Sequence, residues 1–151
     1  MNTETVKAII HLSPIVVSVV VVVFFMTKKQ PWQVLFLAAF LIIGFLGEYC
    51  KAYIYGPRFL RFYVADFSTV PAFTTFYIFM RIVVIGYFEK SDFLKKHIFV
   101  YALFSLFIWT TLELISVDTD LYDILMYCCG TILTYCIVAT FPKDLNFILK
   151  G

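Results

Sequence analysis

The charged residues that invite a chemical reading are Glu48, Lys51, Arg58, Arg61, Asp66, Glu113, Asp120 and Asp123, because each lies inside or beside a long apolar stretch. One Asp, Lys or Arg at the centre of a membrane helix costs about 3 kcal/mol. Such a residue is therefore expected to pair, to hold a ligand, or to do both. Glu48 and Lys51 are three apart and can pair on one helix face. Gly44, Glu48, Lys51 and Tyr55 recur at helical spacing as a polar stripe. Arg58 and Arg61 share the same spacing, and their planar forks suit phosphate or carboxylate groups. Glu113 falls on a face with Ser105 and Trp109. Asp123, Tyr127, Gly130 or Thr131, and Thr134 make a stripe of polar and small residues suited to packing against other helices.

Two chemistries fit this set. The acidic residues can pair with the cations and hold helices together. Alternatively, the residues converge in a polar pocket that binds an anionic group, such as a lipid phosphate or a carrier-lipid phosphate. Paired carboxylates such as Glu113 and Asp123 can also do general acid–base work if they are buried and close. Whether a reaction occurs stays open at this level.

Other signals are weak. There is no Gly-rich phosphate loop, no Gly-x-Ser-x-Gly and no His-Glu-x-x-His. Cys50, Cys128, Cys129 and Cys136 form no Cys-x-x-Cys pair and no zinc spacing, and they read as small apolar side chains. His11 and His97 are far apart. No cofactor and no metal are expected. The basic residues are scattered rather than clustered, which gives no footing for a nucleic-acid partner.

The elements that position these residues follow from composition. Of 151 residues, 62% are hydrophobic and only 15% charged. A soluble domain is about 45–50% apolar and about 25% charged. The mean hydropathy of +0.93 excludes disorder, a fibre and an ordinary soluble enzyme. The expected architecture is an all-α, polytopic membrane bundle of about five transmembrane helices, forming a single integral membrane domain over residues 1–151. The expected spans are Ala8 to Met26, kinked at Pro14; Pro31-Trp32 to Gly47 or as far as Tyr55, broken by Gly56-Pro57; Phe67 to Phe88; Ile98 to Val117; and Leu121 to Phe141, stopped by Pro142-Lys143. The aromatic and basic segment Arg58 to Asp66 reads as interfacial or tucked against the bundle, and Arg81 falls in the body of the third span. The first span lacks a small-x-small cleavage site and is expected to be retained.

Lys28, Lys29, Lys90, Lys95, Lys96, Lys143 and Lys150 fall on one side of such a bundle; Lys7, Lys51, Arg58 and Arg61 fall on the other. The richer side is expected to be cytoplasmic, which puts the N-terminus outside and the C-terminus inside. The candidate pocket then faces outward.

The stretch LELISVDTDLYDILMYCCGTILTY, Leu112 to Tyr135, resembles the last two helices of VanZ-like membrane proteins. Glu113, Asp120, Asp123-Ile124-Leu125, Gly130 and Tyr135 fall at matching offsets. Ser116, Thr119, Tyr127 and Thr134 depart from the pattern. Arg61 to Pro71 also resembles a segment of small bacterial membrane proteins with Asp-rich helix starts. The resemblance implies a small protein of the bacterial envelope, in a family some of whose members lower susceptibility to glycopeptide antibiotics.

Three functions follow as expectations. The first is an inner-membrane protein that binds an anionic lipid or envelope precursor through Glu48, Lys51, Arg58, Arg61, Asp66, Glu113, Asp120 and Asp123. The second is a non-catalytic subunit acting through partner helices, as a homo-oligomer or with another membrane protein. The third is a small transporter or membrane effector.

Overall fold

The computed structural model describes residues 3–28, 30–53, 58–85, 91–116 and 119–141. They fold as five helices: α1 (Thr3–Thr27), α2 (Trp32–Tyr53), α3 (Arg58–Ile85), α4 (Ser91–Ile115) and α5 (Leu121–Ala139). The all-α bundle expected from composition is what the chain forms.

Four of the helices are long and apolar enough to cross a membrane: Thr5–Thr27, Trp32–Tyr53, Lys95–Ile115 and Leu121–Ala139. These fit a multi-pass membrane protein. The exception is α3, although its 28 residues reach about 42 Å at about 1.5 Å per residue. It is the polar helix because it is the central one. It packs against α2, α4 and α5, so its Ala65, Ser68, Thr74 and Thr75 meet other helices and are buried.

Successive helices run in opposite directions. Gly44 and Gly47 of α2 face Ser68 and Ala65 of α3 in antiparallel order. Tyr63 of α3 meets Tyr122 of α5, and further along Asp66 meets Tyr127, so those two helices run parallel. One end of the bundle therefore carries the start of α3 and α5 and the finish of α2 and α4. The apolar core fills the opposite half, where Phe25, Val34, Leu37, Ile78, Ile98 and Val138 are buried. Phe24 and Phe25 meet Phe79 edge-on at 5.3 and 6.1 Å. There Gln33 Nε2 donates to the Thr140 carbonyl at 2.8 Å and ties the start of α2 to the end of α5.

Both helical prolines leave a carbonyl one turn back without its backbone donor. For Pro14 that is Ile10, which accepts from Ser13 Oγ at 3.0 Å. For Pro71 it is Phe67, whose carbonyl faces Gly130 of α5 so closely that a Cβ there would collide with it. The hydrogen that takes the place of a Cβ points at that oxygen, a weak C–H···O contact. Gly130 is thus required by the close approach of α5 to the proline-opened backbone of α3.

The helices differ from the expected spans in informative places. Arg58 to Asp66 is not a separate interfacial segment but the first turns of α3. Helix α5 covers Asp66, so its charge does not have to stay at a water boundary. Arg81 consequently lies near the end of α3 rather than in the body of a span. Its Nη1 donates to the Tyr77 hydroxyl at 3.0 Å, and the Tyr77 ring stacks on Tyr101 at 4.4 Å. Helix α1 begins at Thr3, earlier than Ala8, and α4 begins at Ser91, earlier than Ile98. Gly56-Pro57, Asp118 and Pro142-Lys143 lie outside the described residues.

Candidate functional site

The polar end of the bundle is assembled from four helices. Helix α5 begins at a turn held by its own acidic residues. Asp120 is the N-cap, and its Oδ1 accepts from the Tyr122 amide at 2.8 Å. Glu113, near the end of α4, accepts from the Asp120 amide through Oε1 at 3.1 Å. Thr119 Oγ1 donates to the Glu113 carbonyl at 3.1 Å. The first two bonds satisfy backbone donors at the start of α5, and the third satisfies a carbonyl near the end of α4. They also place negative charge at the positive end of the α5 dipole.

One turn into α5, Asp123 and Tyr127 stand at i and i+4 and share a face. That face meets α3 at Asp66. Asp66 is only 6% exposed and Tyr127 only 5%. The Tyr127 hydroxyl donates to Asp66 Oδ1 at 3.2 Å. Asp66 Oδ2 is buried and has no hydrogen-bond partner. The carboxylate of Asp123, half-buried, lies within hydrogen-bonding reach of the same group. Lys51, from the last turn of α2, attracts both carboxylates, while Asp120 and Glu113 repel Asp123.

The surrounding rings keep the contact in place. Trp109 of α4 lies 6.2 Å from the Tyr127 ring and 5.4 Å from that of Phe73. Tyr63 and Tyr122 meet at 5.9 Å above Asp66, across α3 and α5.

Five of the eight residues singled out by sequence thus gather here: Lys51, Asp66, Glu113, Asp120 and Asp123. Glu48 is exposed on α2. Gly47 sits against Ala65, and the next residue is rotated by about 100°, which turns Glu48 away from the contact face. Arg58 and Arg61 lie in the first turns of α3, at this same end, but their side chains fall outside the described residues. Tyr127 is the residue that sequence reasoning placed only on a packing stripe. Its position four after Asp123 was the available signal for a role at the site.

Two grooves lie elsewhere. One, of about 330 Å³, runs between α1, α2 and α3 and is lined by residues including Pro14, Ser18, Phe45 and Phe76. The other, of about 130 Å³, lies between α3 and α4 and includes Tyr101, Ser105 and Trp109. None of Glu48, Lys51, Asp66, Glu113, Asp120 and Asp123 lines either groove. Among the described residues no group of three or more His, Cys, Asp or Glu is arranged to hold a metal ion. Cys50, Cys128, Cys129 and Cys136 are free thiols.

No family model, curated protein or solved structure matches the chain.

Proposed function

We propose that this is a small bacterial inner-membrane protein that binds the headgroup of an anionic lipid or envelope precursor in a polar pocket on its outer face. The observation that carries the reading is the convergence of Lys51, Asp66, Glu113 and Asp123, from four different helices, at one end of an otherwise apolar bundle. The roles divide by charge. Lys51, with Arg58 and Arg61 from the first turns of α3, would meet the phosphate. The carboxylates would accept from hydroxyl or amine donors of the same headgroup. The bias of lysines toward the opposite end supports the outward orientation, with the N-terminus outside and the C-terminus in the cytoplasm. The likeness of Leu112 to Tyr135 to VanZ-like proteins supports the envelope setting.

The test is the lipid that travels with the protein. Purified in native-like nanodiscs, the wild-type chain should retain a defined anionic lipid detectable by mass spectrometry. The variant Arg58→Ala plus Arg61→Ala should lose it. Unchanged lipid content in that variant would end this reading.

A second reading, a subunit acting through partner helices, is favoured by the apolar faces of α1 and α4. Val16 is 62% exposed and Phe107 is 68% exposed. Purification in mild detergent should then yield a stoichiometric partner or a defined homo-oligomer; a stable lone monomer would exclude it.

A further inference from the structure

Where Asp66 meets Asp123, two carboxyl groups face each other, and no side-chain donor among the described residues reaches Asp66 Oδ2. Asp66 uses Oδ1 on the Tyr127 hydroxyl, which supplies a single hydrogen. Its Oδ2 is buried and unpartnered, and the group is 6% exposed, so water cannot stand in freely. Carboxylates this close cannot both ionise without a large Coulombic cost. Among the described residues, the groups that face the pair do not remove that cost. Lys51 of α2 brings one positive charge; Glu113 of α4 and Asp120 of α5 bring negative charge. A metal ion does not fit, because the described residues offer no third ligand in range. A proton needs only the two oxygens.

We propose that Asp66 and Asp123 hold one proton between them and form a proton-binding site at the seam of α3 and α5. Tyr127 fixes the Asp66 half. Asp123, the half-buried member, exchanges with water at that end of the bundle. Release breaks the acid O–H bond, sends the proton to water and takes the pair from one negative charge to two. The two charges then repel across the seam that Gly130 and Phe67 close one turn further on. Proton occupancy and helix packing are therefore linked. The folded seam binds a proton that separated side chains would give up, so stability falls as pH rises through its release.

The site shares Asp66 and Asp123 with the lipid reading, but it does not need a bound lipid, and its test is separate. Infrared difference spectra of the full chain in nanodiscs at neutral pH should show a protonated carboxylic acid band. Asp66→Asn and Asp123→Asn should each remove it, and Glu113→Gln should leave it in place. Tyr127→Phe should shift its frequency. Sodium or calcium chloride should not displace it, and the Arg58→Ala plus Arg61→Ala variant should keep it even with its lipid lost. Absence of the band in the wild type, persistence in both Asn variants, or loss on adding either cation would overturn the proposal. Should the Asn variants fail to fold, the wild type still decides. Its thermal stability should decline from neutral to mildly alkaline pH, below the range of free tyrosine and lysine, and a flat profile would contradict the site.

Discussion

Among the described residues, the Tyr127 hydroxyl is the side-chain donor that reaches Asp66 Oδ1. Replacing Tyr127 with Phe leaves Oδ1 without a partner, in a place water does not freely reach. Stranding a buried acceptor costs about 1–3 kcal/mol, and reversible unfolding in mixed micelles should show a loss in that range. Asp120→Ala removes a different function, the cap on the Tyr122 amide. Its expected cost is about 1 kcal/mol, read in the same assay. The sequence made the charge at both positions visible. What it did not show was that Asp66 would be covered while Glu48 would not. Both sit in stretches of similar composition, and the outcome turns on which helix packs against each face. Gly44 and Gly47 define the face of α2 that meets α3, and Glu48 lies just off it.

Among the elements, α3 departs most from expectation. Its start reads as interfacial or tucked against the bundle because Arg58, Arg61 and Asp66 are too polar for a lipid-exposed span. That inference assumes lipid as the neighbour. In the bundle the neighbours are α2, α4 and α5, and a central helix can carry Ser68, Thr74 and Thr75 at no exposure to hydrocarbon. The outer helices were legible because they must be apolar all round their exposed faces. Pro31-Trp32 marks the start of α2 for the same local reasons that operate in the fold. The small residues of α5 were legible as a packing stripe, but not their partner. Gly130 meets the Phe67 carbonyl that Pro71 leaves open. Gly130→Ala should force α3 and α5 apart and cost about 1–3 kcal/mol. Gly44→Ala places its Cβ at ordinary contact, 3.4 Å from Ser68 Cβ. It should be neutral or stabilising by up to about 1 kcal/mol. Equal losses at the two positions would mean that the seam is not where α3 and α5 touch most closely.

For the whole molecule, the division of labour runs along the bundle axis. The apolar core lies toward the end that carries Lys28 and Lys95, and the buried carboxylate lies toward the other. The proposed orientation, argued from the lysine bias, puts the carboxylate end outside. Single cysteines introduced at Thr5 and at Lys28, in a chain whose four native cysteines are replaced by serine, report the orientation. A membrane-impermeant thiol reagent added to spheroplasts should label position 5 and not position 28. The reverse pattern would place the carboxylates at the cytoplasmic face and remove the outer-leaflet lipid from consideration.

The proton-binding site requires that Asp66 of α3 and Asp123 of α5 touch. A double-mutant cycle on unfolding free energy asks this directly, with Asp66→Asn, Asp123→Asn and the double variant measured in the same micelles. Contacting residues interact by about 0.5–3 kcal/mol, and the account predicts a non-additive result in that range. The cycle pairing Glu48→Gln with Asp123→Asn should be additive. Additivity of Asp66 with Asp123 would mean that the two carboxylates do not meet.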